Sequence, residues 1–321
     1  MTFHTVPEFG EAVEAAATHF GLRVTFIEKD YWVTWVLRNL ANSEFVDTVV
    51  FKGGTSLSKA HTCINRFSED IDLAILGGHE LNGNQLKSRI RDVEHIVVTG
   101  LEYFKHEAET KGSRYRKTYH NYPRSIDNNE FGAVRNQILL EINSFTNPVP
   151  HERKAIQSMI GQFLAINFPD QVDHYGLQPF TINVLTRERT FFEKLMSLIR
   201  MSHVGQDAVR GKIRHFYDLH LILNQEDLIE RILIDANFNL LDLVRADDAA
   251  NEDFAGEWLA QPLAASPLFI DHNRYWTELA QQYESELGDL TWAPIPAAAS
   301  INESLGEIQC FLSRYDHQAL A

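Results

Sequence analysis

The chain has 321 residues, of which 44% are hydrophobic and 23% charged, a composition typical of a globular protein long enough for two domains. Its formal net charge of −15 excludes a protein that wraps nucleic acid with its whole surface, but not one with a local basic groove. The two cysteines, Cys63 and Cys310, do not form a disulfide framework, no apolar run approaches the ~20 residues that span a bilayer, and the first residues lack a signal-peptide pattern. We therefore expect a cytoplasmic protein that does not bind a membrane.

The first part of the chain predicts a mixture of helices and strands. Thr25 and Glu28 have the spacing of a capping box, which predicts a helix that continues through the apolar positions Tyr31 and Trp35. The run DTVVFKGG predicts a strand that ends in a glycine turn. The elements predicted after it are a helix over 56–64, a strand over 70–76, a helix over 86–104, and strands over 115–122, 135–145 and 181–185.

The remainder of the chain predicts helices. Thr190 and Glu193 have the spacing of a second capping box, and the run GKIRHFYDLHLILN predicts a further helix. After about residue 235 the sequence becomes acidic and less regular. The fold class that we expect is α/β (α+β) with a mixed sheet, followed by a mainly helical C-terminal half, and we place the division between residues 1–185 and 186–321.

The stretch FKGGTSLSKAHTCINRFSEDIDLAI combines a glycine turn with two alternating acids. The pair Gly53 and Gly54 lets backbone N–H groups approach a phosphate closely, and Thr55 and Ser56 add hydroxyls at the start of the next helix. A glycine pair by itself is equally typical of a hairpin turn. Because this glycine pair is followed by an acidic strand, the sequence favours a phosphate site.

The two acids of this stretch predict a metal site. Asp70 and Asp72 are two residues apart in a predicted strand, so they project from the same face and repel each other unless a cation lies between them. Mg²⁺ suits one or two carboxylates that share it with phosphate oxygens, and Mn²⁺ is an alternative. Glu141, in the run NQILLEINSF, either is an edge-strand charge or completes the metal cluster and acts as a base.

The segment Lys111 to Arg124, KGSRYRKTYHNYPR, is basic and rich in tyrosine. It has Arg114, Arg116 and Lys117 between tyrosines, and such a pattern can neutralise phosphates and stack on bases. A twisted hairpin whose tyrosines pack on their own sheet explains the pattern equally well.

The sequence resembles the AbiEii/AbiGii-type toxin nucleotidyltransferases of the DNA polymerase β-like superfamily. The resemblance rests on GGTSLSKA followed by RFSEDIDLAI, and it continues in EKDYWVTWVL, RERTFFEKLMSL and RHFYDLHLIL. It extends from about Ile27 to Leu223, and the C-terminal hundred residues have no matching motif. It implies a minimal nucleotidyltransferase domain over 1–185 and a helical domain over 186–321 that contributes to the active site.

The resemblance also implies roles for particular residues. Asp70 and Asp72 would be catalytic metal ligands, with Glu141 standing where many relatives have Asp. The residues implied to bind the nucleotide are Gly53, Gly54, Thr55, Ser56, Ser68 and Lys194. Asp218 matches the acid of the fourth family motif and would be catalytic.

Simpler explanations stay open for these charges. Lys194 could be a solvated helix lysine, and Asp218 could form an ordinary i,i+4 ion pair with Arg214. Lys59 and Arg66 could be surface charges.

What the resemblance implies as function is transfer of an NMP from an NTP to an acceptor hydroxyl. The protein would be the toxin of a toxin–antitoxin pair, the acceptor would be the 3′ end of tRNA, and a cognate antitoxin would be its partner. The alternatives are transfer of NMP or phosphate to a protein or small molecule, and a nucleotide-binding module without catalysis.

Overall fold

The computed structural model describes residues 2–68, 70–125, 137–225, 231–288 and 290–319. The chain divides into two compact units, which we call the first and second unit. The first comprises Met1–His61 and Phe67–Leu185, and the second comprises Thr62–Arg66 and Thr186–Ala321. A short segment from the first third of the chain therefore belongs to the second unit.

The first unit is built on one mixed sheet. Its described strands are β1 (Val49–Lys52), β2 (Asp70–Ile75), β3 (Glu102–Phe104), β4 (Thr110–Lys111), β5 (Tyr115–Asn121), β6 (Gln137–Asn143), β7 (His151–Ile156) and β8 (Phe180–Leu185). Their order is β3-β5-β6-β2-β1-β8-β7, with β4 also paired to β5. Strand β2 runs antiparallel to β1 and parallel to β6, and β1 runs parallel to β8. The mixed sheet confirms the predicted fold class.

The two faces of this sheet differ in chemistry. Ile71 and Leu73 of β2 lie in the main apolar core of the first unit, together with Ile142 of β6. Because successive side chains of a strand point to opposite faces, Asp70 and Asp72 lie on the other face. The alternation of apolar and acidic residues in β2 thus places the two acids away from the core.

The described helices of the first unit are α1 (Glu8–Phe20), α2 (Val24–Ala41), α3 (Gly53–Lys59), α4 (Gly83–Val97), α5 (Met159–Asn167) and α6 (Pro169–His174). Two predictions about them were wrong. Helix α2 begins at Val24, so Thr25 and Glu28 form no capping box, and Glu28 accepts hydrogen bonds from Ser125 instead. The helix predicted over 86–104 ends at Val97, because Gly100 turns the backbone with φ of +89° before β3 begins.

The second unit is helical within the described residues, as the sequence predicts. Its helices are α7 (Arg187–Val204), α8 (Gln206–Arg210), α9 (Ile213–Leu223), α10 (Phe238–Ala250), α11 (His272–Thr277), α12 (Ala280–Leu287) and α13 (Ala298–Ala319). The capping box predicted at Thr190 and Glu193 was wrong, because α7 begins at Arg187 and Thr186 caps it. Aromatic side chains fill the interior, where the rings of Phe192 and Phe311 stack at 5.6 Å.

No helix within the described ranges is both long enough and apolar enough to cross a lipid bilayer.

Candidate functional site

The glycine turn after β1 brings Asp72 against the backbone of Gly53. Gly53 has φ of +79°, in the left-handed region where a side chain causes strain. A Cβ atom at this position would lie 2.0 Å from Oδ2 of Asp72. The Asp72 carboxylate therefore occupies the space that a side chain at position 53 would need, and the turn and the acid form one arrangement.

The hydroxyls that follow the turn hold the backbone. Thr55 and Ser56 are both buried. The Thr55 hydroxyl donates to the Asp70 carbonyl and lies 3.0 Å from Oγ of Ser68, and the Ser56 hydroxyl donates to the Gly53 carbonyl at 2.8 Å. Ser68 is half-buried, so it is the most accessible of these three hydroxyls. The nucleotide contacts assigned to this stretch from the sequence stay predictions.

Four charged residues lie side by side across four strands. The strand register pairs Lys52 with Asp72, Asp72 with Glu141, and Glu141 with Lys117. Register partners project from the same face, so the four side chains form a row in which two acids lie between two lysines. We call these four residues the charged row. Asp70 lies on the same face of β2, two residues before Asp72.

Two side chains contact the Glu141 carboxylate. Its Oε1 lies 3.0 Å from Nζ of Lys117, and the Tyr115 hydroxyl donates a hydrogen bond to the same carboxylate. Burial, followed by the charge of Glu141, raises the pKa of Tyr115 far above its usual value, so the phenol keeps its proton. Lys117 and Tyr115 thus orient Glu141 beside Asp72.

The donor set of this face fits a hard divalent cation. Asp70, Asp72 and Glu141 offer only carboxylate oxygens, which Mg²⁺ prefers. Across the described part of the chain, no three His, Cys, Asp or Glu side chains form a group that could hold a metal by themselves. This face therefore suits a cation that is bound by one or two carboxylates and whose remaining ligands are substrate oxygens.

Most of the basic tyrosine segment has partners within the first unit. Arg116 lies 2.6 Å from Glu94 on the core face, and the lysine of the charged row follows it on the other face. Tyr119 and Tyr122 are buried, whereas Arg114 is exposed. The contacts therefore favour the simpler interpretation of this segment, a strand whose tyrosines pack on its own sheet.

Three charged side chains form a buried cluster in the second unit. Asp218 accepts bidentate hydrogen bonds from Arg66, both at 2.7 Å, and lies 2.8 Å from Nζ of Lys194. We call these three residues the Asp218 cluster. Burial favours the neutral acid, but the two cations outweigh it and hold the pKa of Asp218 well below its usual value. Lys194 is therefore not a solvated lysine, and Asp218 is paired with Arg66 and Lys194.

Arg66 is the member of this cluster that sequence reasoning did not assign. It lies in the segment Thr62–Arg66, which the chain contributes to the second unit before returning to the sheet. Its side chain is almost fully buried, so the interpretation as a surface charge was wrong. The sequence signal that could have indicated a role for Arg66 is its position in RFSEDIDLAI, where it is a lone cation just before the acidic strand.

The stretch EKDYW has a structural role in the first unit. Glu28 accepts the backbone N–H of Ser125 at 2.6 Å, and Asp30 accepts the backbone N–H of Met159 at 2.7 Å. Asp30 also lies 2.5 Å from Nζ of Lys59, so Lys59 is a buried partner and not a surface charge. These acids connect α2 to distant parts of the same unit.

Comparison with known proteins identifies a family and a fold that the chain resembles. The family model described as "Nucleotidyl transferase AbiEii toxin, Type IV TA system" matches residues 35–299. No curated protein matches the chain.

Two solved structures are similar to the chain. MenT4, a nucleotidyltransferase toxin from Mycobacterium tuberculosis, is 19% identical, with a TM-score of 0.56 over 95% of this chain and 92% of that chain. A chain from H. pylori described as a nucleotidyltransferase is 14% identical, with a TM-score of 0.34 over 81% of this chain and 99% of that chain. The likeness to MenT4 supports a nucleotidyltransferase-like fold.

Proposed function

The chain belongs to the AbiEii family of nucleotidyltransferase toxins, and on that premise we propose that it transfers an NMP from an NTP to an acceptor hydroxyl in a metal-dependent reaction that releases pyrophosphate. The acceptor that we propose is the 3′ end of tRNA, whose modification would stop translation. The family belongs to type IV toxin–antitoxin systems, so we expect a cognate antitoxin as the partner.

The observation that carries the proposal is the position of the acids next to the glycine turn. Asp72 lies against Gly53, Asp70 shares its face, and Glu141 is its register partner on β6. Carboxylates gathered beside a glycine turn at the start of a helix can hold a cation and the phosphates that it neutralises.

We assign the metal to Asp70 and Asp72, with Mg²⁺ as the ion and Mn²⁺ as the alternative. When bound, such an ion offsets the charge that develops on the phosphate oxygens. Glu141, held by Lys117 and Tyr115, would accept the proton of the attacking hydroxyl.

We assign binding of the triphosphate to Gly53, Gly54 and Ser68 of the first unit, and the role of Lys194 in nucleotide binding stays a prediction. Asp218 is fully enclosed by its two cations, so it would not touch substrate itself. Its proposed role is to position Arg66 and Lys194 and to offset their charge in a buried environment. Asp218 is therefore a positioning residue in this proposal.

A smaller acceptor is the second candidate. The cations Arg116 and Lys117 of β5 are engaged with Glu94 and Glu141, and its Tyr119 is buried. Together with the net charge of −15, this weakens the case for an extended RNA surface on the strand. Transfer to a protein or a small molecule would require no such surface.

The test is to incubate the protein with each α-labelled NTP and total RNA, and then to locate the label. Label at the 3′ end of tRNA in the wild type, absent with Asp72→Asn, is the expected result. Label on protein or on a small molecule would select the second candidate, and no labelled product with any NTP and any of these acceptors would refute the proposed transfer.

A further inference from the structure

A cleft of about 370 Å³ opens in the first unit beside helix α4. Its lining residues are Arg91, Asp92, Glu94, His95 and Val98 near the end of α4, with Tyr103 of β3 and His120 of β5. His120 and Lys117 are three residues apart on β5, so they lie on opposite faces of the sheet. The cleft is therefore separate from the charged row, and the transfer reaction leaves it without a role.

A buried imidazole forms part of the cleft's lining. His120 is 3% exposed, its Nε2 lies 3.0 Å from Oγ1 of Thr118, and its Nδ1 has no hydrogen-bond partner among the described residues. Burial, followed by the charge of Lys111, lowers the pKa of His120 to about 4, so the ring is neutral near pH 7. A buried polar atom without a partner is unfavourable. A ligand group that hydrogen-bonds to Nδ1 would remove that penalty, and a small shift of the ring or of a neighbouring side chain would expose this buried atom to the ligand.

An aromatic ring stands beside this imidazole. Tyr103 is the register partner of His120 and is 45% exposed, and the two rings are 6.1 Å apart in an edge-to-face arrangement. The Tyr103 hydroxyl donates to Glu109, and Nζ of Lys111 lies 4.1 Å from the ring centroid. These contacts hold the ring in place, so it offers a fixed aromatic surface to a planar ligand.

The charges around the cleft are largely balanced. Glu94 pairs with Arg116 at 2.6 Å, and Arg91 lies 3.6 Å from Asp92. Most of the lining surface is apolar, because the charged residues contribute their aliphatic stems. A mostly apolar lining that includes one neutral imidazole favours a planar, weakly charged ligand over a polyanion.

We propose that the cleft beside α4 binds a nucleobase, with its face on Tyr103 and its edge hydrogen-bonded to Nδ1 of His120. Aromatic stacking combined with a hydrogen bond to the base edge is how proteins recognise unstacked bases. The exposed Arg91 and His95 leave the rim open for a sugar or phosphate. The base could belong to a free nucleoside or to an unpaired RNA nucleotide, since both present the same chemistry.

The test uses the full-length protein labelled with ¹³C at histidine and titrated with each nucleoside to about 1 mM. Nucleosides carry no phosphate, so the phosphate contacts of a triphosphate site contribute nothing to their binding. The His120 signal is identified by its loss in His120→Phe, and we expect it to move on titration. Tyr103→Ala should weaken the binding about ten-fold or more, because stacking contributes about 1–3 kcal/mol per base, whereas Trp292→Ala, also an exposed aromatic, should not.

A short unpaired oligoribonucleotide with a 5′ hydroxyl distinguishes the two sources. If it moves the His120 signal and nucleosides do not, the base comes from RNA. If neither probe moves that signal, or if Tyr103→Ala binds as tightly as the wild type, the proposal is wrong. None of these outcomes bears on the transfer reaction, because no probe carries a triphosphate. Tyr103 is partly exposed, so its variant tests the cleft even if His120→Phe fails to fold.

Discussion

The charged row in the first unit and the Asp218 cluster in the second unit use the same residue types under opposite conditions. In the row, Asp72 and Glu141 are neighbouring acids that are only half-buried. In the cluster, one fully buried acid is enclosed by two cations. The row places two acids side by side at an accessible face, with a lysine on each side. The cluster encloses a single acid between two cations, out of contact with water.

This difference predicts that substitutions have different effects at the two sites. Two neighbouring acids at an accessible face, with a lysine on each side, offer carboxylate oxygens that a cation can bind. Buried opposite charges stabilise only as a set, since removing one leaves the others without compensation. We therefore expect substitutions in the row to reduce activity, and substitutions in the cluster to reduce stability as well.

The largest expected effect is that of Asp72→Asn on transfer. We expect the rate to fall about a thousand-fold or more, equivalent to about 4 kcal/mol, because the neutral amide no longer supports the metal. The melting temperature should change little. Asp170→Asn, at an exposed position of the same unit, is the matched control. Full activity of Asp72→Asn in a radiolabel transfer assay would show that Asp72 does not bind the catalytic metal.

Asp218→Asn should have the largest effect on stability. It leaves Arg66 and Lys194 buried without a counter-charge, and we expect the free energy of unfolding in urea to fall by about 3 kcal/mol. Asp271→Asn, at an exposed acid that only caps a short helix in the same unit, should cost about 1 kcal/mol or less. If the two variants are equally stable, the cluster is not the structural element that its burial indicates.

The same variant predicts a pH dependence. Because Arg66 and Lys194 hold the pKa of Asp218 below its usual value, the unfolded chain takes up that proton first as the pH falls. The contribution of Asp218 is therefore complete above the unfolded pKa of about 4 and is lost as the pH falls below it. Between about pH 5 and pH 2 the wild type should lose stability more steeply than Asp218→Asn. Parallel curves in urea denaturation would contradict this prediction.

Gly53→Ala tests whether the turn and the acid of the row form one arrangement. Gly53 and Gly21 have φ of +79° and +63°, so alanine at either position should cost about 1–2 kcal/mol of backbone strain. At Gly21 a Cβ would meet nothing within 4 Å, whereas at Gly53 it would displace the Asp72 carboxylate. We expect both variants to lose similar stability, but only Gly53→Ala to lose transfer, by about ten-fold or more. Equal activity would show that the position of Asp72 does not matter.

The smallest expected effect concerns Arg114 in the basic tyrosine segment. It is exposed, unlike Arg116 and Lys117, which are half-buried in ion pairs. If RNA is the acceptor, Arg114→Ala should lower the slope of log affinity against log salt by up to about 1, with NTP affinity unchanged. Arg274→Ala, an exposed arginine of the second unit, provides the control. An equal change of the salt slope in both variants would mean that Arg114 makes no specific contact with the RNA.

The features that the sequence predicts well are those set by local periodicity. The alternation in DIDLAI places Asp70 and Asp72 on one face, and it places Ile71 and Leu73 in the core. The start of α2 was mispredicted, because a capping box at Thr25 predicts a helix from Phe26, whereas α2 begins two residues earlier, at Val24. Helix ends depend on weak local signals that tertiary contacts readily override.

The contacts that the sequence does not predict are those between distant segments. That Glu141 lies beside Asp72 depends on the register of β2 and β6, which are joined by a long connection, and a one-residue slip would turn Glu141 to the other face. The pairing of Arg66 with Asp218 joins residues 152 apart in the chain. No local pattern specifies such a contact, since it depends on how the core packs.

The segment Thr62–Arg66 has a consequence for synthesis of the protein. Arg66 leaves the ribosome 152 residues before Asp218, which at about 5–20 residues per second is roughly 8–30 s earlier. Throughout that interval the chain already contains the glycine turn. Once Glu141 has been synthesised, it also contains Asp70, Asp72 and Glu141 of the sheet, but the Asp218 cluster cannot yet exist. The nascent chain thus lacks one of its two charged sites until a large part of it has been translated.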